Sequence, residues 1–213
     1  PRNPFYGKKV RDELVMTVWN FIAFVQKDIN STNTSQKESL LEFREQIAQS
    51  IALTNILRDL LLECPSDVIK PPIIEYIQAS NRYLTAHWQY CIIVHEKQQP
   101  LVIARSSLAV AEAAKEMLDK CRLVEIEARN YLMKSVEAIK VYHEALTRFL
   151  FANICKDNKD YKNAVAHLRL ADSALKSGNF TVQIESNISL GFQMIRNAVE
   201  YSLAENLEKS RQN

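Results

Sequence analysis

Glycine is scarce in this chain, with three residues in 213, and the three stand far apart at Gly7, Gly178 and Gly191. Loops that cradle phosphates need several glycines close together so that the backbone can wrap an anion, and nucleotide chemistry of that kind is excluded. Proline is thin as well, six residues gathered mostly in short clusters, so there are few places where regular structure must stop. The four cysteines, Cys64, Cys91, Cys121 and Cys155, are widely spaced and form no Cys-x-x-Cys pair. They read as small buried hydrophobes in a reducing compartment, not as a disulfide framework or a zinc site. Long apolar runs are also missing, since charge interrupts each one well before the ~18 residues needed to cross a bilayer. One-sided charge is absent too. The 27 basic and 25 acidic residues leave a formal charge of +2, and their interspersion offers no continuous basic surface to nucleic acid. The densest lysine group, Lys156, Lys159 and Lys162, is broken by Asp157 and Asp160 and reads as a solvated loop.

Catalytic and metal-binding patterns are equally hard to find. His143 and Glu144 are followed by Ala145, Leu146 and Thr147, so there is no His-Glu-x-x-His, and no Glu-x-x-His pair of the di-iron type occurs. Asp157, Asn158, Lys159 and Asp160 fall in an expected turn, where an aspartate-rich metal helix is not built. His87, Cys91 and His95 recur every four residues on one helix face. The first and third lie about 12 Å apart along the axis, too far to share one ion, and the trio reads as a half-buried seam with two polar edges. No nucleophile, base and oxyanion set emerges from spacing. The expectation is a protein that is not an enzyme and carries no metal or cofactor.

Helical periodicity is what the chain has in abundance. With 47% hydrophobic residues it can bury a core unaided, and one domain over residues 1–213 is expected. Val10, Leu14, Val18, Phe21, Ile22 and Val25 recur at spacings of three and four, which predicts a helix from about Lys9 to Asn30. Ser35 and Glu38 form a capping box for a second helix that runs through Leu40, Leu41, Phe43, Ile47, Ile51, Leu57 and Leu60 to about Cys64, with Pro65 closing it. A third is expected from Pro71 and Pro72 to about Lys97, since a helix start needs no amide at proline. Gln98, Gln99 and Pro100 make a break. A fourth spans about Leu101 to Arg122, continuing toward Val124, and a fifth runs from about Glu125 to Lys156, a length of about 48 Å at 1.5 Å per residue. Such lengths predict an all-α, elongated bundle of long antiparallel helix hairpins.

One hairpin has a finer pattern. Phe151, Ala152 and Cys155, then Tyr161, Ala164, Leu168 and Ala171, fall where a tetratricopeptide-type hairpin places bulky, small and medium residues, and Ala152 and Ala164 let two helix backbones approach closely. No second copy appears at a 34-residue period. Lys176, Ser177, Gly178 and Asn179 end this helix, and a last one is expected from about Asn187 to Lys209 through Phe192, Ile195, Val199 and Leu203.

Taken in order, these segments resemble the Bro domain found in ALIX-like and Brox-like proteins. The stretch "VMTVWNFIAFVQKDI" (residues 15–29), with Trp19, Asn20 and Phe21, is similar to the family's helix with a Phe-Asn pair. Residues 42–62 resemble its "AAGIFKHLKE"-type helix. "PLVIARSSLAVAEAAKEMLDKCR" (100–122) is similar to the helix after its most discussed loop. "YHEALTRFLFANICKDNKDYKNAVAHLRLADSA" (142–174) resembles its hairpin, and residues 192–213 its last helix. The family's front, a small sheet and first helices, has no counterpart here, and its Ile-Tyr segment would follow Asn213. The chain, which begins at Pro1, is accordingly expected to be the later portion of such a module.

The resemblance implies a cytoplasmic adaptor, peripheral on endosomes, that receives an amphipathic helix from the tail of an ESCRT-III subunit on an apolar patch. Alignment on Pro100 puts that patch at Tyr90, Val102 and Ser106. Val102 keeps the apolar character, whereas Ser106 does not. The alternative expectation is a general helical-repeat scaffold or Rho-linked adaptor with a different ligand.

Overall fold

The computed structural model describes residues 4–31, 37–63, 71–122, 129–177 and 186–212. Among them are seven helices and no strand: α1 (Pro4–Ser31), α2 (Lys37–Glu63), α3 (Pro71–His95), α4 (Pro100–Cys121), α5 (Arg129–Asp157), α6 (Tyr161–Ser177) and α7 (Ser186–Gln212). The all-α class and the order of the helices match the periodicity. Boundaries differ in instructive ways. α1 begins five residues before Lys9, running through Gly7, and α7 continues past Lys209, because a helix already held by packing tolerates weak formers near its ends. Ser35, Cys64, Pro65, Gly178 and the stretch toward Val124 lie outside the described residues.

Two lysines do what glycine usually does. At the end of α3, Lys97 adopts φ 51°, its N–H donates to Val94 O (3.0 Å), and the Gln98 N–H donates to Ile93 O (3.2 Å). At the end of α5, Lys159 has φ 60°, its N–H donates to Lys156 O (2.9 Å), and the Asp160 N–H donates to Cys155 O (2.8 Å). Both are left-handed terminations that satisfy the last carbonyls of a helix. Asp160 then opens α6, its carboxylate accepting from the Asn163 N–H at 3.2 Å. The lysine-rich loop is therefore a tight, defined turn.

Each helix packs on the next in the chain, and α5 also packs on α7. Side-chain pairs give the directions. Trp88 Nε1 donates to Leu40 O while Asn81 meets Ser50 and Thr54, so α3 runs against α2. Lys120 pairs with Glu75 and Arg82 with Glu116, so α4 runs against α3. Tyr142 lies beside Gly191, and Lys156 beside Glu205, the same offset of 49 at both points, so α5 and α7 are parallel neighbours. Helix α6 bridges them, as in a hairpin followed by the first helix of the next.

Two apolar cores result. One gathers Val15, Ile22, Phe43, Leu57, Tyr76, Ile77, Tyr83 and Met117 from α1 to α4, reaching α5 at Val136. The other lies within α5, α6 and α7, where Ala138, Ala145 and Ala152 recur every seven residues against Ala164 and Ala171. The hairpin expected from sequence is present: Ala152, Ala164, Leu168 and Ala171 are buried together with Cys155 packed alongside, and Phe151 stacks on His167 at 5.7 Å. Cys91 and Cys121 are buried, as their apolar surroundings suggested.

Candidate functional site

Val102 sits in the first turn of α4 and is 38% exposed, with Leu101 and Leu108 on the same helix and Val94 at the end of α3, all outward-facing. Here the antiparallel α3 and α4 meet at their joining turn, so Val94, Leu101 and Val102 lie close to that turn, while Leu108 stands about two turns further along α4. Ser106 is half-buried one turn further on. Tyr90 is directed elsewhere: half-buried, its ring stands edge-on to His143 of α5 at 4.7 Å and tilts against His87 at 6.5 Å. Burial raises its phenol well above the ordinary tyrosine range, with Tyr142 adding to the effect. The three sequence-selected positions thus split between an open edge (Val102), a half-buried helix flank (Ser106) and an aromatic contact in the interior (Tyr90).

That interior contact belongs to a polar centre between the two apolar cores. His143 is 2% exposed and Ser107 fully buried. The serine Oγ donates to the His143 carbonyl (3.2 Å) and lies 3.0 Å from His143 Nδ1. A serine has one proton, so with that proton on the carbonyl the neutral imidazole donates from Nδ1 to Oγ. Across from it, His87 meets His143 edge-on at 6.0 Å and Phe43 at 5.9 Å. Its Nε2 lies 3.7 Å from Cys91 Sγ, and its enclosed Nδ1 has no hydrogen-bond partner among the described residues. Desolvation lowers His87 to about 4. His143 is pushed well below the ordinary imidazole range, first by burial and then by His87. Both are neutral at neutral pH.

Cys91–His87 and Ser107–His143 are residue types that elsewhere make nucleophile and base. Here Ser107, His143 and Cys91 are all buried. The seam expected from His87 and Cys91 is real, while His95, the third member, stands exposed at the helix end. His143 and Ser107 were missed in the sequence because 36 residues separate them and neither belongs to a motif. Among the described residues no three of His, Cys, Asp and Glu are placed to hold a metal ion, and no helix is long and apolar enough to cross a membrane.

A second feature lies on the outside, where α2 and α3 leave an open groove of about 480 Å³. Ile51, Asn55, Gln78, Arg82, Thr85 and Gln89 line it, over a floor that includes Thr54 and Asn81. The floor is internally satisfied. Ser50 Oγ donates to Asn81 Oδ1 (2.7 Å), Asn81 Nδ2 donates to Thr54 Oγ1 (2.8 Å), and Thr54 Oγ1 donates to Ser50 O (2.6 Å).

Compared with protein-family models, with curated proteins and with solved structures, the chain matches none.

Proposed function

We propose that this chain is a non-enzymatic interaction scaffold of the Bro-domain kind, cytoplasmic and peripheral on endosomes, which takes the amphipathic tail helix of an ESCRT-III subunit on the α3–α4 edge. The observation that carries it is Val102, the position picked out by the Bro resemblance, exposed beside Leu101 and Val94. Outward aliphatic side chains at a helix-hairpin edge suit the apolar stripe of an incoming helix. Ser106 replaces an aliphatic anchor, and the loss of a leucine-sized contact weakens such binding by about 2 kcal/mol.

The test is calorimetry with an ESCRT-III tail-helix peptide. Micromolar binding is expected, weakened at least tenfold by Val102→Asp and strengthened by Ser106→Leu. No detectable binding, or binding indifferent to Val102→Asp, would remove the proposal.

A second reading, a general helical scaffold with another ligand, is favoured by a different observation. Phe21, Phe24, Leu41 and Leu62 on α1 and α2 are each more than half exposed, more so than Val102. A partner recovered with equal yield by the native chain and by Val102→Asp, but lost on Phe21→Glu, would support this reading over the first.

A further inference from the structure

The groove between α2 and α3 has a chemistry unlike that of the apolar edge at Val102. Gln78, Arg82, Thr85 and Gln89 follow one another at spacings of four, three and four along α3, so they line up on one face. Asn55 faces them from α2, with Ile51 beside it. The floor residues Thr54 and Asn81 spend their hydrogen bonds on one another and on Ser50, and Thr85 Oγ1 donates to Asn81 O at 2.8 Å. The side-chain amides of Asn55, Gln78 and Gln89 make no such commitment among the described residues. Three carboxamides, each with donors and an acceptor, are therefore left along the walls of a groove.

Charge narrows the choice of occupant. Arg82 is the charged residue lining the groove, and its guanidinium is engaged by both carboxylate oxygens of Glu116 on α4. The rim is electrically neutral, which suits neither an acidic tail nor a nucleic-acid backbone. Backbone chemistry narrows it further. A helical ligand has already paired its peptide groups internally, whereas an extended segment presents unpaired N–H and C=O groups at every residue. The row from Gln78 to Gln89 is about 16 Å long at 1.5 Å per residue, which matches roughly five extended residues at 3.3 Å each.

We propose that the α2–α3 groove is a binding site for an uncharged, extended peptide segment about five residues long, held through its main chain by Asn55, Gln78 and Gln89, with Ile51 offering contact to a small apolar side chain. This site is separate from the α3–α4 edge and does not depend on the ESCRT-III reading.

The probe is a phage-displayed library of random nine-residue peptides selected on the whole chain, followed by fluorescence anisotropy with the enriched peptide. The triple variant Asn55→Ala, Gln78→Ala, Gln89→Ala is expected to weaken binding at least tenfold with an unchanged thermal midpoint, and Gln89→Ala alone about threefold. Val102→Asp is expected to have no effect, and raising the salt from about 50 to 300 mM to change affinity less than twofold, since no charge is neutralised. The proposal is overturned if no peptide is enriched, if the triple variant and Gln89→Ala both bind like the native chain, if the bound peptide is helical by circular dichroism, or if Val102→Asp abolishes binding.

Discussion

The two cores of this molecule solve the same packing problem with different proportions of large and small side chains. Between α1 and α4 the helices are held by bulk, with Phe43, Leu57, Tyr76, Ile77 and Tyr83 buried together. Between α5 and α7 small residues take a larger share, with Ala138, Ala145, Ala164 and Ala171 fully buried beside Leu168, Leu175 and Val199. Bulky side chains contribute through transferred area, while small ones let backbones approach and gain from many close contacts. The first arrangement tolerates expansion poorly and truncation worse. The second has little room to grow at its alanine positions, though Leu168, Leu175 and Phe192 are as open to truncation as the first core's residues. Both expose large apolar residues, Phe21 and Phe24 on α1 and Met194 and Tyr201 on α7, while α5 and α7 are also tied by Lys156 on Glu205, which Lys209 joins from within α7.

The largest effect that tests this contrast is Phe43→Ala, expected to cost about 3–5 kcal/mol in denaturant unfolding through a cavity among rigid neighbours. A loss under about 1 kcal/mol would show that the first core relaxes around the vacancy and that bulk is not what holds it. Acid comes next, because it strikes the joint between the cores. His87 has a folded pKa of about 4 against about 6.5 unfolded. Between those values the unfolded state binds the extra proton, so stability is full above pH 6.5 and falls as the pH drops toward 4, by about 3 kcal/mol for His87. His143 shifts in the same direction and steepens the fall. Urea titrations between pH 7 and 4 measure the slope, and His87→Gln should flatten it. An unchanged slope in that variant would locate the acid sensitivity elsewhere.

Ala145→Leu should cost about 1–3 kcal/mol by overpacking the second core. The same exchange at exposed Ala166 serves as control, and equal effects at the two positions would show that the second core is not closely packed around Ala145. The smallest effect expected is a gain: Lys97→Gly and Lys159→Gly should each raise stability by about 0.5–1 kcal/mol, because both lysines sit at positive φ where a side chain is strained. Thermal melts of the two single variants measure it, and a loss would mean that the lysine side chains contribute more than the strain they cause.

Much of the architecture could be read from spacing. Ile22 and Val25 are buried as their spacing predicts, whereas Val10, Leu14 and Phe21 of the same expected stripe, and Leu41 and Ile51 of the next, are exposed, because α1 turns a face centred on Val15 inward. Ala152, Ala164, Leu168 and Ala171 meet in the hairpin that their pattern implies. The terminations at Lys97 and Lys159 were not legible as such. Left-handed geometry is ordinarily signalled by glycine or asparagine, and a lysine there gives no local sign. The site was legible only in fragments. Of the expected patch, Val102 is exposed, whereas Tyr90 turns inward to His143, a direction set by where α5 lies and not by anything along α3.

The sequence by itself determined the all-α class of this protein, because local hydrogen bonding and a 3.6-residue apolar period need only neighbours in the chain. Which apolar residues face inward was decided by packing, since Val10, Leu14 and Phe21 of the α1 period are exposed. It also excluded phosphate-cradling loops, through three scattered glycines. Tertiary structure decided that α5 and α7 lie parallel at an offset of 49, that His143 closes on Ser107 across 36 residues, and that three carboxamides border a groove over a satisfied floor. Each of these depends on which helices become neighbours, and that choice is made by side-chain volume and close packing between segments distant in the chain.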